Sequence, residues 1–498
     1  MKTKTWILSI LCGFLAFGLA QAQHGRPAEG TAKKDPTKVS PGSKKVDALK
    51  YRDLVWTVPE IGKEVKKVTL VNGMTLYLYP DHSLPVFNVQ AIVRTGEIYE
   101  PAEKAGLIRL CGTVMRSGGT KTLTPDSLNA ELEFMAGSVE TGIGTEQGSV
   151  SLNVLAKDID RGLEIFADVL MNPEFRQDKL DLAKDQIKEQ IRRRNDQPGS
   201  ILAREFTSRI YPDHPYGRVL EWETVKKLTR EDLINWHKTY FAPNNVMLGI
   251  SGDFDAEKVV EKIKKVFARW EKKNINFPSI PKVADKPNPG IYVVDKPNLN
   301  QTNLTMGHLG VDFTNPDIYA LNVMNYILGG GGFTSRLTSR VRSDLGLAYS
   351  VGSQFNTGSR DLGTFAATCQ TKTETTHKAA AEMLTVIKAM REAPVSEEEL
   401  KTAKDAYINR FVFQFTSAGA VVGQLMGLDY FGRDPKFYNN YLDNVRKVTV
   451  DDVFRVAKTY LKPENLTMVV VGNVASFDAD LSDLGSTTKV ALTPPSVD

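Results

Sequence analysis

Leu228–Gly252 reads LTREDLINWHKTYFAPNNVMLGISG, and Val448–Gly472 reads VTVDDVFRVAKTYLKPENLTMVVVG. The two stretches align without a gap at an offset of 220 residues, with Thr229/Thr449, Asp232/Asp452, Lys238/Lys458, Thr239/Thr459, Tyr240/Tyr460, Pro243/Pro463, Asn245/Asn465 and Gly252/Gly472 coinciding. The same offset matches Leu180, Ala183, Lys184 and Asp185 to Leu400, Ala403, Lys404 and Asp405. A register shared at two separate places marks the duplication of a large unit, not a short stacking repeat. In each copy a Thr can cap a helix, and a Pro ends that helix ahead of an apolar strand.

KKVTLVNGMTLYLYPD holds two alternating runs around Asn72-Gly73, which predicts a hairpin. PVFNVQAIVRTG follows as a further strand. KLDLAKDQIKEQIRRR sets Leu180, Ala183, Ile187 and Ile191 on one helical face and its charges on the other. Strands interspersed with clustered helices predict an α+β unit with helices covering one face of a sheet. The polar stretch EKKNINFPSIPKVADKPNPG, with four prolines, reads as a linker over residues 271–290. It separates an N-terminal domain, residues 51–270, from a C-terminal domain, residues 291–485, which is followed by a tail over 486–498.

Composition excludes little. At 498 residues the chain exceeds one compact core, and 41% hydrophobic with 24% charged residues describes an ordinary globular protein. A net charge of +4, carried in part by the first fifty residues, gives no support to a nucleic-acid partner. MKTKTW, the apolar run ILSILCGFLAFGLA and then AQAQ have the order of a secretory signal peptide over residues 1–22. The run is short for a membrane anchor, and Leu11 before Cys12 is too large for a lipoprotein site. The expectation is an exported chain, periplasmic in a bacterium, with no stable membrane span after cleavage and a flexible lead-in over residues 23–50. Only Cys111 and Cys369 remain after that cleavage, which excludes a disulfide framework and favours two buried thiols, with one bridge as the alternative.

NGMTLYLYPDHSLPV, GEIYEPAEKAGLIRL and HPYGRVLEWETVKKLTREDL, together with the C-terminal LGGGGFTSRLTSRVRSDLGLAYSVGS, resemble the pitrilysin/insulinase-type (inverted zincin) peptidases from about Val65 to Gly472. The resemblance implies two similar pitrilysin/LuxS-like α+β domains forming half of a clam-shell chamber in which peptides are cut. Active members of that family carry His-x-x-Glu-His on the helix opening with Gly-Leu. Its histidines at i and i+4 bind zinc, and its Glu acts as general base on the bound water. Placing Gly106-Leu107 on the motif puts Arg109 and Thr113 at the histidine positions and Gly112 at the base. After 76 intervening residues Gln190 stands where the resemblance expects the third ligand, a Glu, and Ala183 stands where a supporting Glu would sit.

None of these replacements can do the zinc chemistry. Arg109 is a permanent cation without a lone pair, Thr113 offers a neutral hydroxyl, Gly112 has nothing to take a proton, and Gln190 lacks the charge that offsets the metal. The six histidines, His24, His82, His214, His237, His308 and His377, include no pair at i+3 or i+4. The chain is therefore expected to have no catalytic residues and no metal of its own.

The C-terminal half keeps what the resemblance asks of it. An Arg and a Tyr seven residues apart, Arg342 and Tyr349, match the pair that holds substrate in that family. The Arg fork suits a carbonyl or carboxylate, and the Tyr hydroxyl suits a developing oxyanion. Gly329, Gly330, Gly331 and Gly332 lack the Gly-Lys-Ser/Thr ending of a phosphate loop. They read either as a helix stop or as a loop at the chamber entrance, after a helix opened by Asn315-Pro316-Asp317. The expectation is a non-catalytic subunit working with a paralogous, zinc-binding His-x-x-Glu-His chain on peptide substrates. The alternative is an inert scaffold or peptide-binding protein of the same fold.

Overall fold

β1 (Lys66–Thr69) and β2 (Thr75–Pro80) pair antiparallel with Thr69 opposite Thr75, so the hairpin at Asn72-Gly73 forms. The computed structural model describes residues 57–284 and 288–497, with positions 42, 45, 48 and 49. The expected leader and most of the lead-in lie outside the described residues. Everything below belongs to the compact unit Thr57–Asp498.

The first half continues with β3 (Val86–Val93), α1 (Leu107–Ser117), α2 (Pro125–Phe134), β4 (Ser138–Ile143) and β5 (Gly148–Leu155). Then come α3 (Ile159–Met171), α4 (Gln177–Arg192), α5 (Pro198–Ile210), α6 (Arg230–Tyr240), β6 (Val246–Gly252) and α7 (Ala256–Val266). The second half runs β7 (Gly290–Asp295), β8 (Gln301–Leu309), α8 (Ile318–Asn325), β9 (Ala348–Asn356) and β10 (Thr364–Lys372). It closes with α9 (Thr376–Glu392), α10 (Glu397–Phe411), α11 (Ala418–Tyr430), α12 (Phe437–Lys447), α13 (Val450–Tyr460), β11 (Thr467–Gly472) and β12 (Thr487–Lys489).

Two six-stranded sheets result, ordered β1-β2-β6-β3-β5-β4 and β12-β7-β11-β8-β10-β9. Five positions correspond, including the parallel pairs β2/β6 and β7/β11, and only the outermost strand differs in direction. The duplication seen in the sequence is thus a duplication of topology. The caps hold too: Thr229 with Asp232 and Thr449 with Asp452 each form a reciprocal capping box. On α4, Leu180, Ala183, Ile187 and Ile191 are the buried face.

The halves exchange a helix. α5 and α11 are equivalent at the 220-residue offset, yet α5 packs on β8 and β11 of the second sheet, and α11 on β2 and β6 of the first. Ile201, Leu202, Phe206 and Ile210 of α5 join Val294, Leu309, Val469 and Val471 in one core. Burying each such side chain stabilises by about 1.5–3 kcal/mol. Small residues admit the visiting helices: a Cβ on Gly307 would lie 2.8 Å from Phe206, and one on Gly249 2.6 Å from Val422. Hydrogen bonds from Tyr430 to the Glu146 carbonyl (2.7 Å) and from Tyr211 to the Leu362 carbonyl (2.9 Å) cross between the halves.

The C-terminal strand leads into a strap over this junction. Val490 and Leu492 pack on the core around α5, Asn195 donates to the Thr493 carbonyl at 3.1 Å, and Val497 packs against the first-half core.

One expected element is shorter than its sequence suggests. The helix after Asn315-Pro316-Asp317 ends as α-helix at Asn325 and continues as a π-helical turn, Tyr326–Gly330, with a second such segment at Thr338–Asp344. Asn325 is held sideways by Ser353 of β9, donating to its carbonyl (3.2 Å) and accepting from its hydroxyl (2.8 Å). Asp317 makes no capping bond, because its carboxylate takes the Arg455 fork (2.7 and 2.9 Å).

Candidate functional site

α1 begins over a buried carboxylate. Glu100 accepts from the Ile108 N–H at 2.8 Å, with Arg218 at 3.6 Å. Burial pushes the Glu100 carboxyl up to about 7 against those opposing contacts. Along α1, Arg109 and Thr113 point to solvent while Ile108, Leu110, Cys111, Val114 and Met115 are buried. The Arg109 guanidinium donates to the Gln190 carboxamide oxygen on α4. Two positions separated by 80 intervening residues are thus brought together, as the spacing of the zinc motif demands. Ala183, two turns earlier on α4, is buried.

Gly112 is more than a lost base. A Cβ there would lie 2.6 Å from the Ile143 nitrogen and 3.1 Å from the Gly142 carbonyl carbon. Thr141 of β4 also donates to the Gly112 carbonyl at 2.6 Å. The helix is pressed onto the strand at the place where the motif needs a side chain. In the second half a Cβ on Gly329 would meet Ser353 of β9 at 2.4 Å, so both halves set a glycine of a helical segment against the sheet's edge strand.

No metal site replaces the lost one among the described residues, where no group of three or more His, Cys, Asp and Glu could hold an ion. The histidines there are engaged singly. His214 accepts from the Tyr216 N–H (3.1 Å) and donates to the Pro281 carbonyl (3.0 Å). His237 donates to the Leu170 carbonyl (2.9 Å), and burial holds it down at about 4. His308 bonds the Leu309 carbonyl and the Lys462 N–H and is likewise lowered by burial to about 4. His82 and His377 pair with Asp253 and Asp483. Cys111 and Cys369 are both free and buried, and burial raises both thiols, Cys369 to about 12. The residues at the degenerate motif do not fit zinc.

In the second half, three arginines of the π-helical region differ in how they are held. Arg336 makes a two-pronged bond to Glu399 (2.6 and 2.8 Å), and Arg340 pairs with Glu382 at 2.9 Å. Arg342 has no ion pair among the described residues. Its guanidinium carbon lies 4.5 Å from the Phe333 ring centre and 5.3 Å from that of Tyr349. Both rings are largely exposed, at 68% and 76%. The guanidinium is positioned by two π faces and keeps its N–H groups available.

Of the four glycines, Gly329 is buried and Gly331 would carry a Cβ 2.7 Å from the Tyr326 ring. Only Gly332, at φ +58, stands in open space, and it turns the chain so that Phe333 reaches Arg342. Phe333 escaped the sequence reading. Its one sequence signal is a large aromatic residue inside a glycine-rich turn.

A family profile described as "Insulinase (Peptidase family M16)" matches residues 79–223, and one described as "Peptidase M16 inactive domain" matches residues 227–407. Among curated proteins, an uncharacterized zinc protease of Rickettsia felis is 29% identical over 341 residues, 67% of this chain and 80% of its own. A probable mitochondrial-processing peptidase subunit beta of Arabidopsis thaliana is 26% identical over 316 residues, 61% of this chain and 58% of its own. Among solved structures, a peptidase M16 inactive domain from Pseudomonas fluorescens superposes with a TM-score of 0.75 at 24% identity, over 82% of this chain and 97% of its own.

Proposed function

This chain belongs to the insulinase (M16) peptidase family, and we propose that within it the chain is the non-catalytic, substrate-holding subunit of an exported heterodimeric zinc peptidase. One observation carries the reading: the zinc half has lost its ligands and closed over the base position, while the other half holds Arg342, without an ion pair among the described residues, beside Tyr349. Arg336 and Arg340, nearby in the same segment, are both tied to carboxylates, and among the described residues Arg342 is not, a difference that a scaffold role alone does not call for.

In this reading a second chain with His-x-x-Glu-His supplies the zinc and the base. Arg342 grips a substrate carbonyl or carboxylate with its fork, and the Tyr349 hydroxyl donates to the oxygen that gains charge as the peptide bond is attacked. Donors that meet this oxygen only in the transition state raise kcat more than they lower KM. The Arabidopsis relative named as a peptidase subunit supports a two-chain assembly. The Lys-containing start, apolar run and small residues of positions 1–22 support export.

The test is kinetic. In the assembled pair, Tyr349→Phe and Arg342→Lys should each lower kcat by about 100- to 1,000-fold, the range for removing one oxyanion donor. Unchanged kcat in both variants would refute the substrate-holding role.

A further inference from the structure

Arg109, Thr113 and Gln190 replace a set of lone-pair donors with a set of hydrogen donors. A metal site converges lone pairs on a cation, whereas this face offers N–H and O–H groups. The Arg109 fork uses one N–H on the Gln190 oxygen and retains the others. That bond leaves the Gln190 amide nitrogen as a second donor. Thr113 lies one helical turn along the same face, and its hydroxyl has no partner among the described residues. All three side chains are exposed.

Charge points the same way. Among the described residues Arg109 has no ion pair. Glu189, beside Gln190, is taken by Arg192 and Arg193, and Glu100 beneath the helix is buried on the Ile108 N–H. The face therefore carries a guanidinium without an ion pair flanked by neutral donors, and Arg192 and Arg193 share the single Glu189 carboxylate, so its surroundings stay net positive, as an oxyanion site requires. Its cation is partly fixed, since Gln190 spans from α4 to hold the guanidinium, and less rotamer freedom is lost on binding. β4, the edge strand of its sheet among the described residues, runs directly beside α1, whose Arg116 donates to the Val139 carbonyl. An extended peptide laid along that edge brings its end or a side chain to Arg109.

We propose that the degenerate zinc site is a carboxylate-binding site, in which Arg109, positioned by Gln190 and assisted by Thr113, anchors a carboxylate of a bound peptide. The planar fork matches a carboxylate in two-pronged geometry. The source is either the peptide's C-terminus or an acidic side chain. It rests on the peptide-holding reading in one respect, that the anion belongs to a peptide.

The experiment uses the purified full chain and three unstructured 15-residue peptides carrying a neutral dye: one without acidic residues as the C-terminal amide, the same peptide as the C-terminal acid, and the amide with one internal Glu. Dissociation constants come from fluorescence anisotropy at low salt. The expected result is that the acid, the Glu peptide or both bind at least fivefold tighter than the neutral amide. Which of the two gains identifies the source. Arg109→Gln and Gln190→Glu, the latter pairing Arg109 internally, should abolish that preference. Equal binding of all three peptides, a preference that survives in Arg109→Gln, or no binding of any peptide would overturn the proposal. Failure of the substrate-holding reading shows elsewhere, as unchanged kcat in the Arg342 and Tyr349 variants of the assembled pair.

Discussion

Gly112 of α1 and Ile143 of β4 approach so closely that a Cβ on the glycine would lie 2.6 Å from the Ile143 nitrogen. Restoring the motif residues therefore cannot restore the site. The fourfold variant Arg109→His, Gly112→Glu, Thr113→His, Gln190→Glu is expected to bind no stoichiometric zinc, measured by metal analysis after gel filtration. Gly112→Glu alone should cost about 3 kcal/mol, because the helix must lift off its strand to make room. Urea unfolding of the single variant checks this.

Phe206 fills the core that α5 shares with the second sheet. Phe206→Ala should destabilise the whole chain by about 3 kcal/mol through the cavity left behind. Residues 57–284 and 288–497, expressed apart, should each fail to fold cooperatively, since each sheet lacks its covering helix. Co-expression should restore a single transition in calorimetry.

Glu100 gives the stability a pH signature. Its carboxyl is raised by burial to about 7 in the folded chain, against an ordinary value of 4.5. A raised carboxyl binds its proton more tightly when folded. Its contribution is therefore complete below about 4.5 and is lost as the pH rises through about 7. The loss is on the order of 3 kcal/mol. Glu100→Gln keeps an acceptor for the Ile108 N–H and should flatten this fall in urea titrations between pH 4.5 and 7.

Phe333 is 68% exposed, so Phe333→Ala should change stability by less than about 0.5 kcal/mol. It removes one of the two rings that hold Arg342. If the proposed heterodimer is the working peptidase, its kcat/KM should fall about tenfold, and Phe333→Tyr, which keeps the ring face, should restore it. A 1.4 kcal/mol loss of positioning suffices for that change.

Much of the fold was legible because its signals are local. The Asn72-Gly73 turn, the Thr caps and the apolar stripe of α4 each depend on residues within a few positions of one another. The duplication was legible because two copies can be compared within one chain. The helix exchange was not: the stripe Ile201, Leu202, Phe206, Ile210 shows that α5 has a buried face, and nothing local says which sheet receives it. The π-helical turns were hidden for the same reason, since the first adjoins the Asn325–Ser353 contact and the second the bond from Thr338 to the Val351 carbonyl, both between segments apart in sequence. At the site, Gln190, singled out by its spacing from Thr113, accepts from Arg109. The closure at Gly112 depends on β4 and had no signature of its own.

The most direct measurement is to tag this chain, isolate it gently from its own host and identify by mass spectrometry what accompanies it. The heterodimer reading predicts a second, roughly equimolar chain carrying His-x-x-Glu-His, with peptidase activity in the pair and none in this chain alone. Recovery of this chain by itself would contradict it, as would a partner without that motif.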